Sequence, residues 1–227
     1  MIPLYYLEVG QKRVFAGAVE WPGWCRSGRD EAAALAALLD YGPRYGRVVA
    51  PTGLPFDAPA TIDDFTIAER LPASSGADFG VPGAVPAADS RPFDAAELER
   101  ATAILNAVWQ AFDTAAESAV GVALRKGPRG GGRELEEIVA HVYGADRGFL
   151  ARLGRKRPAG MADPAEEHAT IRQLALDGLA AGMRGELPAS GPRGGKIWSP
   201  RFFARYVAWH TLDHAWEIED RAIWNAG

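Results

Sequence analysis

The feature that most constrains this chain is the punctuation of its second half. Apolar residues recur at helical spacing from Leu98 to Val122, and again over about 133–153, 164–186 and 200–224. Between these runs lie GPRGGG (127–132), GRKRPAG (154–160) and LPASGPRGGK (187–196), whose glycines and prolines interrupt a helix. Asp94, after Phe93, is placed to cap the first run. Asp163-Pro164 and Ser199-Pro200 each join a capping residue to a proline at the first helical position. Four amphipathic helices joined by such loops read as a four-helix bundle over residues 93–227.

The first 72 residues follow a different rule. PLYYLE (3–8) and RVFAGAVE (13–20) are aromatic and β-branched, and residues 9–12 between them give a hairpin signal. Trp21-Pro22-Gly23 ends the second strand. Arg29-Asp30-Glu31 opens an Ala/Leu-rich helix through Leu39, which Gly42 and Pro43 are expected to stop. IDDFTIAE (62–69) reads as one more strand. The fold class is therefore α+β: a small N-terminal β-β-α-β domain (1–72), then a C-terminal four-helix bundle (93–227). Residues 73–92, rich in Ala, Gly, Pro and Ser, read as a linker.

Composition bounds the function. A length of 227 residues suits one or two domains with a sizeable core. A hydrophobic fraction of 48% and a charged fraction of 24% exclude wholesale disorder. The net charge of −4 supplies no global basic field for nucleic acid. That charge belongs to residues 1–90, with seven basic and eleven acidic side chains; residues 91–227 hold eighteen of each. A single cysteine forms no internal disulfide and suits a reducing compartment. MIPLYYLEVGQKR lacks the basic-then-apolar order of a signal peptide, and no run of 18 apolar residues occurs. A soluble, cytoplasmic protein is expected, with no membrane or nucleic-acid partner.

The informative residues are the histidines. There are four, His141, His168, His210 and His214, all in the helical half. His210 and His214 stand four apart, so they project from one helix face one turn apart. That spacing lets two imidazoles reach one metal ion, and zinc or nickel accepts neutral imidazole nitrogen well. The same face carries Tyr206, Glu217 and Arg221. The helix also holds Phe202, Phe203, Val207, Trp209, Leu212, Trp216 and Ile218, so it is apolar nearly all round and is expected to be buried. Buried imidazoles need partners, and Glu217 and Asp213 are placed to hold their outer nitrogens. His141 lies mid-helix beside Gly144, Ala145 and Gly148, whose small size leaves room for a cavity. Three histidines from two helices leave an open coordination position, as catalytic metals require. An i, i+4 pair of ordinary core histidines is the alternative. His168 follows Glu166-Glu167 and reads as a solvated surface residue rather than a fourth ligand.

HVYGADRGFLARLG and ARYVAWHTLDHAWEIEDR together resemble the DinB/YfiT-like superfamily of metalloenzymes over about residues 93–225. That family is a four-helix bundle with a histidine on its second helix and an H-x-x-x-H pair on its last. His141, His210 and His214 match those positions one for one. The resemblance implies a divalent metal, nickel or zinc, at an open three-histidine site. It also implies activity as a transferase, isomerase or hydrolase, in some relatives with a low-molecular-weight thiol. Tyr206, Glu217 and Arg221 then stand as catalytic candidates that orient a small-molecule substrate. Family habit and the tryptophan-rich helices imply a homodimer. The competing reading is a non-catalytic binding or stress-response protein, with the N-terminal domain as its interaction module.

VFAGAVEWPGWCRSGRDEAAALAALL resembles the start of a HicB-like domain, through Pro22-Gly23, Gly28 and Glu31-Ala32. It implies no toxin partner, and no ribbon-helix-helix segment follows it. Cys25 in this turn reads as a small apolar filler before a reactive thiol. Trp209, Trp216 and Trp224, spaced for a helix, read as core or interface packing. GPRGGGR (127–133) lacks the Lys-Ser/Thr of a phosphate loop. GRKRP (154–158) suits the negative end of a helix dipole better than nucleic acid.

Overall fold

A computed structural model describes residues 4–126, 131–156, 158, 160 and 163–224. Leu4–Val9 (β1) and Val14–Ala18 (β2) form the expected hairpin, with Leu7 opposite Ala16 and Val9 opposite Val14. Pro3 of the expected first strand lies outside the described residues. Gly10 closes the turn, donating its N–H to the Arg13 carbonyl at 2.9 Å. Cys25–Gly28 (β3) adds antiparallel to β2, where the sequence reads as a polar turn. The missed signal is short: four residues, of which Cys25 alone is fully buried. Thr66–Pro72 (β4) adds parallel to β1, giving the order β3-β2-β1-β4. The expected strand at 62–69 is thus displaced, because Thr61 and Asp64 cap one another across a short 3-10 turn at Ile62–Asp64.

The helix α1, Glu31–Val49, crosses between β3 and β4. Asp30 caps it through the Ala33 N–H at 2.8 Å. It runs through Gly42 and Pro43, which were expected to end it. Tertiary packing overrides the proline: Leu38, Tyr45 and Val49 are fully buried. Trp24 and Tyr45 stack at 5.9 Å, and the Tyr45 hydroxyl donates to the Pro22 carbonyl at 2.8 Å. Gly42 is needed where it stands, since a Cβ there would meet Ala58 Cβ at 2.9 Å.

The second half holds α2 (Ala95–Ser118), α3 (Leu135–Phe149), α4 (Pro164–Met183) and α5 (Pro200–Arg221). Each ends a few residues short of its expected C-terminus. α3 passes into a 3-10 turn, Leu150–Leu153, that closes on Gly154 in the left-handed region. Asp94, Asp163 and Ser199 cap α2, α4 and α5 through backbone N–H groups, as the sequence implies. Residues 127–130, Arg157 and Ala159, in two of the loops read above, lie outside the described residues.

The chain is therefore a mixed α and β structure, with a four-stranded sheet at its N-terminus and, among the described residues, five long helices. α5 lies against α2, α3 and α4 and is buried from Phe202 to Ile218 along most of its length. One contiguous core joins both halves: Tyr5, Leu7, Trp24 and Leu38 pack in the same cluster as Ile104, Leu150, Phe203 and Leu212. Salt bridges from Arg26 to Asp213 and from Arg44 to Glu219 and Asp220 tie the N-terminal unit to α5. A second cluster, around Phe112, Ile138, Val142 and Ile218, fills the far end of the helices. Residues 73–92 are held to the sheet. Glu8 on β1 is fully buried and accepts backbone N–H groups from Ser74, Gly83 and Ala84 at 2.8–3.0 Å. Among the described residues no helix is long and apolar enough to cross a membrane.

Candidate metal centre

α3 and α5 pack side by side, and that contact brings the three histidines together. One nitrogen from each of His141, His210 and His214 lies within 4.8 Å of the others. Nε2 of His210 faces Nε2 of His141 at 3.2 Å. Two imidazole donors on one tetrahedral zinc-type ion, at about 2.1 Å each, stand roughly 3.4 Å apart, so this separation is that of a shared ligand edge. The rings of His141 and His214, and of His210 and His214, have centroids 4.8 Å apart.

Burial favours the neutral ring at His210 and at His141. His210 has its pKa lowered to about 3, first by burial and then by His214 and His141 beside it. His141 is lowered too, by burial first and then by His214 and Arg133, against an opposing pull from Glu217. Neutral imidazoles present lone pairs rather than protons, the state a metal needs.

The surrounding shell is asymmetric. Nδ1 of His214 pairs with Glu217 Oε2 at 2.8 Å, which leaves Nε2 as that ring's donor. Glu217 is in turn held by Arg221, four residues on. Arg221 also donates to the carbonyls of Arg125 at 3.0 Å and Arg133 at 2.7 Å, so each of its three guanidinium nitrogens has a partner. The His214 contact, with Arg221 assisting, lowers the pKa of Glu217 and keeps it anionic. Asp213, the other expected acceptor, instead pairs with Arg26 at 2.9 Å and holds the N-terminal unit. Nδ1 of His210 is buried with no partner among the described residues.

Tyr206, one turn before His210, packs among Phe149, Trp198, Phe202 and Trp209. Burial raises its pKa, so the hydroxyl stays protonated. Phe149 also meets His210 edge-on at 5.5 Å and Trp209 meets it at 6.1 Å, so two rings touch both Tyr206 and the centre. Tyr206 lines a cavity of about 480 Å³ that runs between Ser74–Val85 and Lys196–Phe202.

His168 is not a surface residue, contrary to expectation. It is 4% exposed, pairs with Asp146 at 3.2 Å and stacks on Tyr143. The acidic neighbours Glu166 and Glu167 suggested solvent, but the helix turns His168 inward, toward α3. Burial raises the pKa of Asp146, while His168 opposes that rise. His168, with Tyr143 and Gly144, lines a separate cavity of about 240 Å³. Cys25 is buried, with its thiol pushed up to about 12 by desolvation, which fits a filler. Trp209 and Trp216 are core residues, whereas Trp224 is 55% exposed.

The sequence reading missed four buried charged groups, Glu8, Asp89, Asp146 and Arg205. Arg205 is 5% exposed and pairs with Asp89, which fixes the 87–90 turn on α5. A carboxylate inside an otherwise apolar strand was the signal for Glu8. Nothing in the local pattern marks Arg205.

Comparison with known protein families, with curated proteins and with solved structures returns no match.

Proposed function

We propose that this chain is a divalent-metal enzyme whose ion is held by His141, His210 and His214, in a DinB-like four-helix bundle formed by α2, α3, α4 and α5. The observation that carries the reading is the meeting of three imidazoles from two helices, with Glu217 holding the outer nitrogen of His214. A catalytic ion keeps a position open beyond three protein ligands. No Asp, Glu or Cys joins the three histidines among the described residues. Nickel or zinc suits this donor set. Such an ion supplies Lewis acidity, which lowers the pKa of a bound water or thiol.

The protein's own side chains do the rest. Glu217 fixes the His214 ring and its tautomer, and Arg221 fixes Glu217. Both act through the histidine rather than on a substrate. Tyr206 keeps its proton and stands at the wall of the large cavity, which makes it the residue that meets a small-molecule substrate. A transferase, isomerase or hydrolase reaction, with a low-molecular-weight thiol as co-substrate, is the class proposed, in a homodimer.

X-ray absorption on protein loaded with one equivalent of zinc tests the reading. Three histidine nitrogens plus an exchangeable oxygen are expected. Four protein ligands would favour a structural ion and the binding-protein reading; an absence of imidazole scattering would overturn the site.

A further inference from the structure

We propose that the cavity of about 480 Å³ beside α5 binds a small organic anion, a flat apolar ring system carrying one acidic group. Its volume is that of a drug-sized ligand site. One wall is a run of aromatic rings: Trp198, Phe202 and Tyr206 lie 4.9–5.7 Å apart, centroid to centroid. The opposite wall is the Ser74–Val85 stretch, and Glu8 fastens it through three backbone hydrogen bonds. A wall fixed in that way is pre-formed, so little ordering is lost on binding.

The lining is chemically one-sided. Lys196 is its single charged residue, and no carboxylate lines it. Serines 75 and 90 add hydroxyls, and Ser74 Oγ is buried without a partner. Arg152 lies over the Trp198 ring at 5.1 Å and adds a second cation at that end. Behind Phe202 and Tyr206, a void of about 10 Å³ is bordered by Arg205, whose Nη1 is buried with no partner. Asp89 pairs with that guanidinium through Nη2. Lys196 and Arg152 select an anion, and the rings select a flat apolar body. Val81 and Val85, 40% and 49% exposed, are lining residues that such a ligand would cover.

Tyr206 and Phe149 connect this wall to His210. Use of the cavity as the substrate pocket of the metal centre rests on the function proposed above; the binding itself does not. Titration calorimetry with 2-naphthoate, 2-naphthamide and 2-naphthylmethylammonium tests it on the full chain. The carboxylate is expected to bind about tenfold more tightly than the amide, and the ammonium more weakly still. Lys196→Ala should remove most of the preference for the carboxylate. Ser75→Trp, at an exposed lining position, should block both carboxylate and amide. Binding should persist in the metal-free His210→Ala variant, which separates failure of the pocket from failure of the metal site. Equal affinity for the three probes, no binding at about 5 mM, or unchanged binding in Ser75→Trp would overturn the proposal.

Discussion

Glu217 Oε2 sits 2.8 Å from Nδ1 of His214, three residues before it on the same helix. That contact fixes which nitrogen the ring offers to an ion. Glu217→Gln should therefore weaken zinc binding by about 10–100-fold while leaving the fold intact. Competition with a chelator of known affinity measures it. An unchanged affinity would remove Glu217 from the site.

Cys25 gives the clearest pH dependence. Burial pushes its thiol from the ordinary 9.0 up to about 12. The folded protein then keeps a proton that the unfolded chain releases above pH 9. Its stabilising contribution is complete below that point and is lost as pH rises toward 12. Thiol reagents at pH 8 should leave Cys25 unmodified in native buffer and label it fully in denaturant. Rapid labelling of the native protein would contradict its burial.

Glu8 should be a large stability determinant. Glu8→Ala leaves three backbone N–H groups without their acceptor. A loss of about 3 kcal/mol is expected, which for a chain of this size lowers the melting temperature by roughly 6–12 °C. Differential scanning calorimetry reads it, and a loss under about 1 kcal/mol would mean that the 73–92 segment is held by other contacts.

Pro43 breaks a local rule at a helix interior and is exposed. Pro43→Ala restores a backbone donor toward the Leu39 carbonyl and removes the ring's clash with it. Stability should rise by about 1–2 kcal/mol in denaturant unfolding.

Much of this was legible in the chain. Caps at Asp94, Asp163 and Ser199 and the glycine-proline breaks located four helices, because capping and chain breaking act over a few residues. The i, i+4 pair His210/His214 followed from helix geometry. His141 lay 69 residues away, and its match to a known pattern, rather than any local signal, placed it with the pair. What failed was tertiary in origin. Pro43 sits inside α1 because Tyr45 and Val49 beyond it are buried. His168 faces inward because Asp146 awaits it on α3. Asp213 serves Arg26 from the N-terminal unit, a partner 187 residues distant that helix spacing cannot reveal.

The proposed function stands on three imidazoles that hold one ion. Elemental analysis of the protein, purified without a histidine tag and then dialysed against nickel or zinc, measures it most directly. The expected result is about one ion per chain, falling to background in His141→Ala, His210→Ala and His214→Ala variants that remain folded by circular dichroism. Wild-type protein that carries no ion and takes up none, or variants that keep the full complement, would contradict the account.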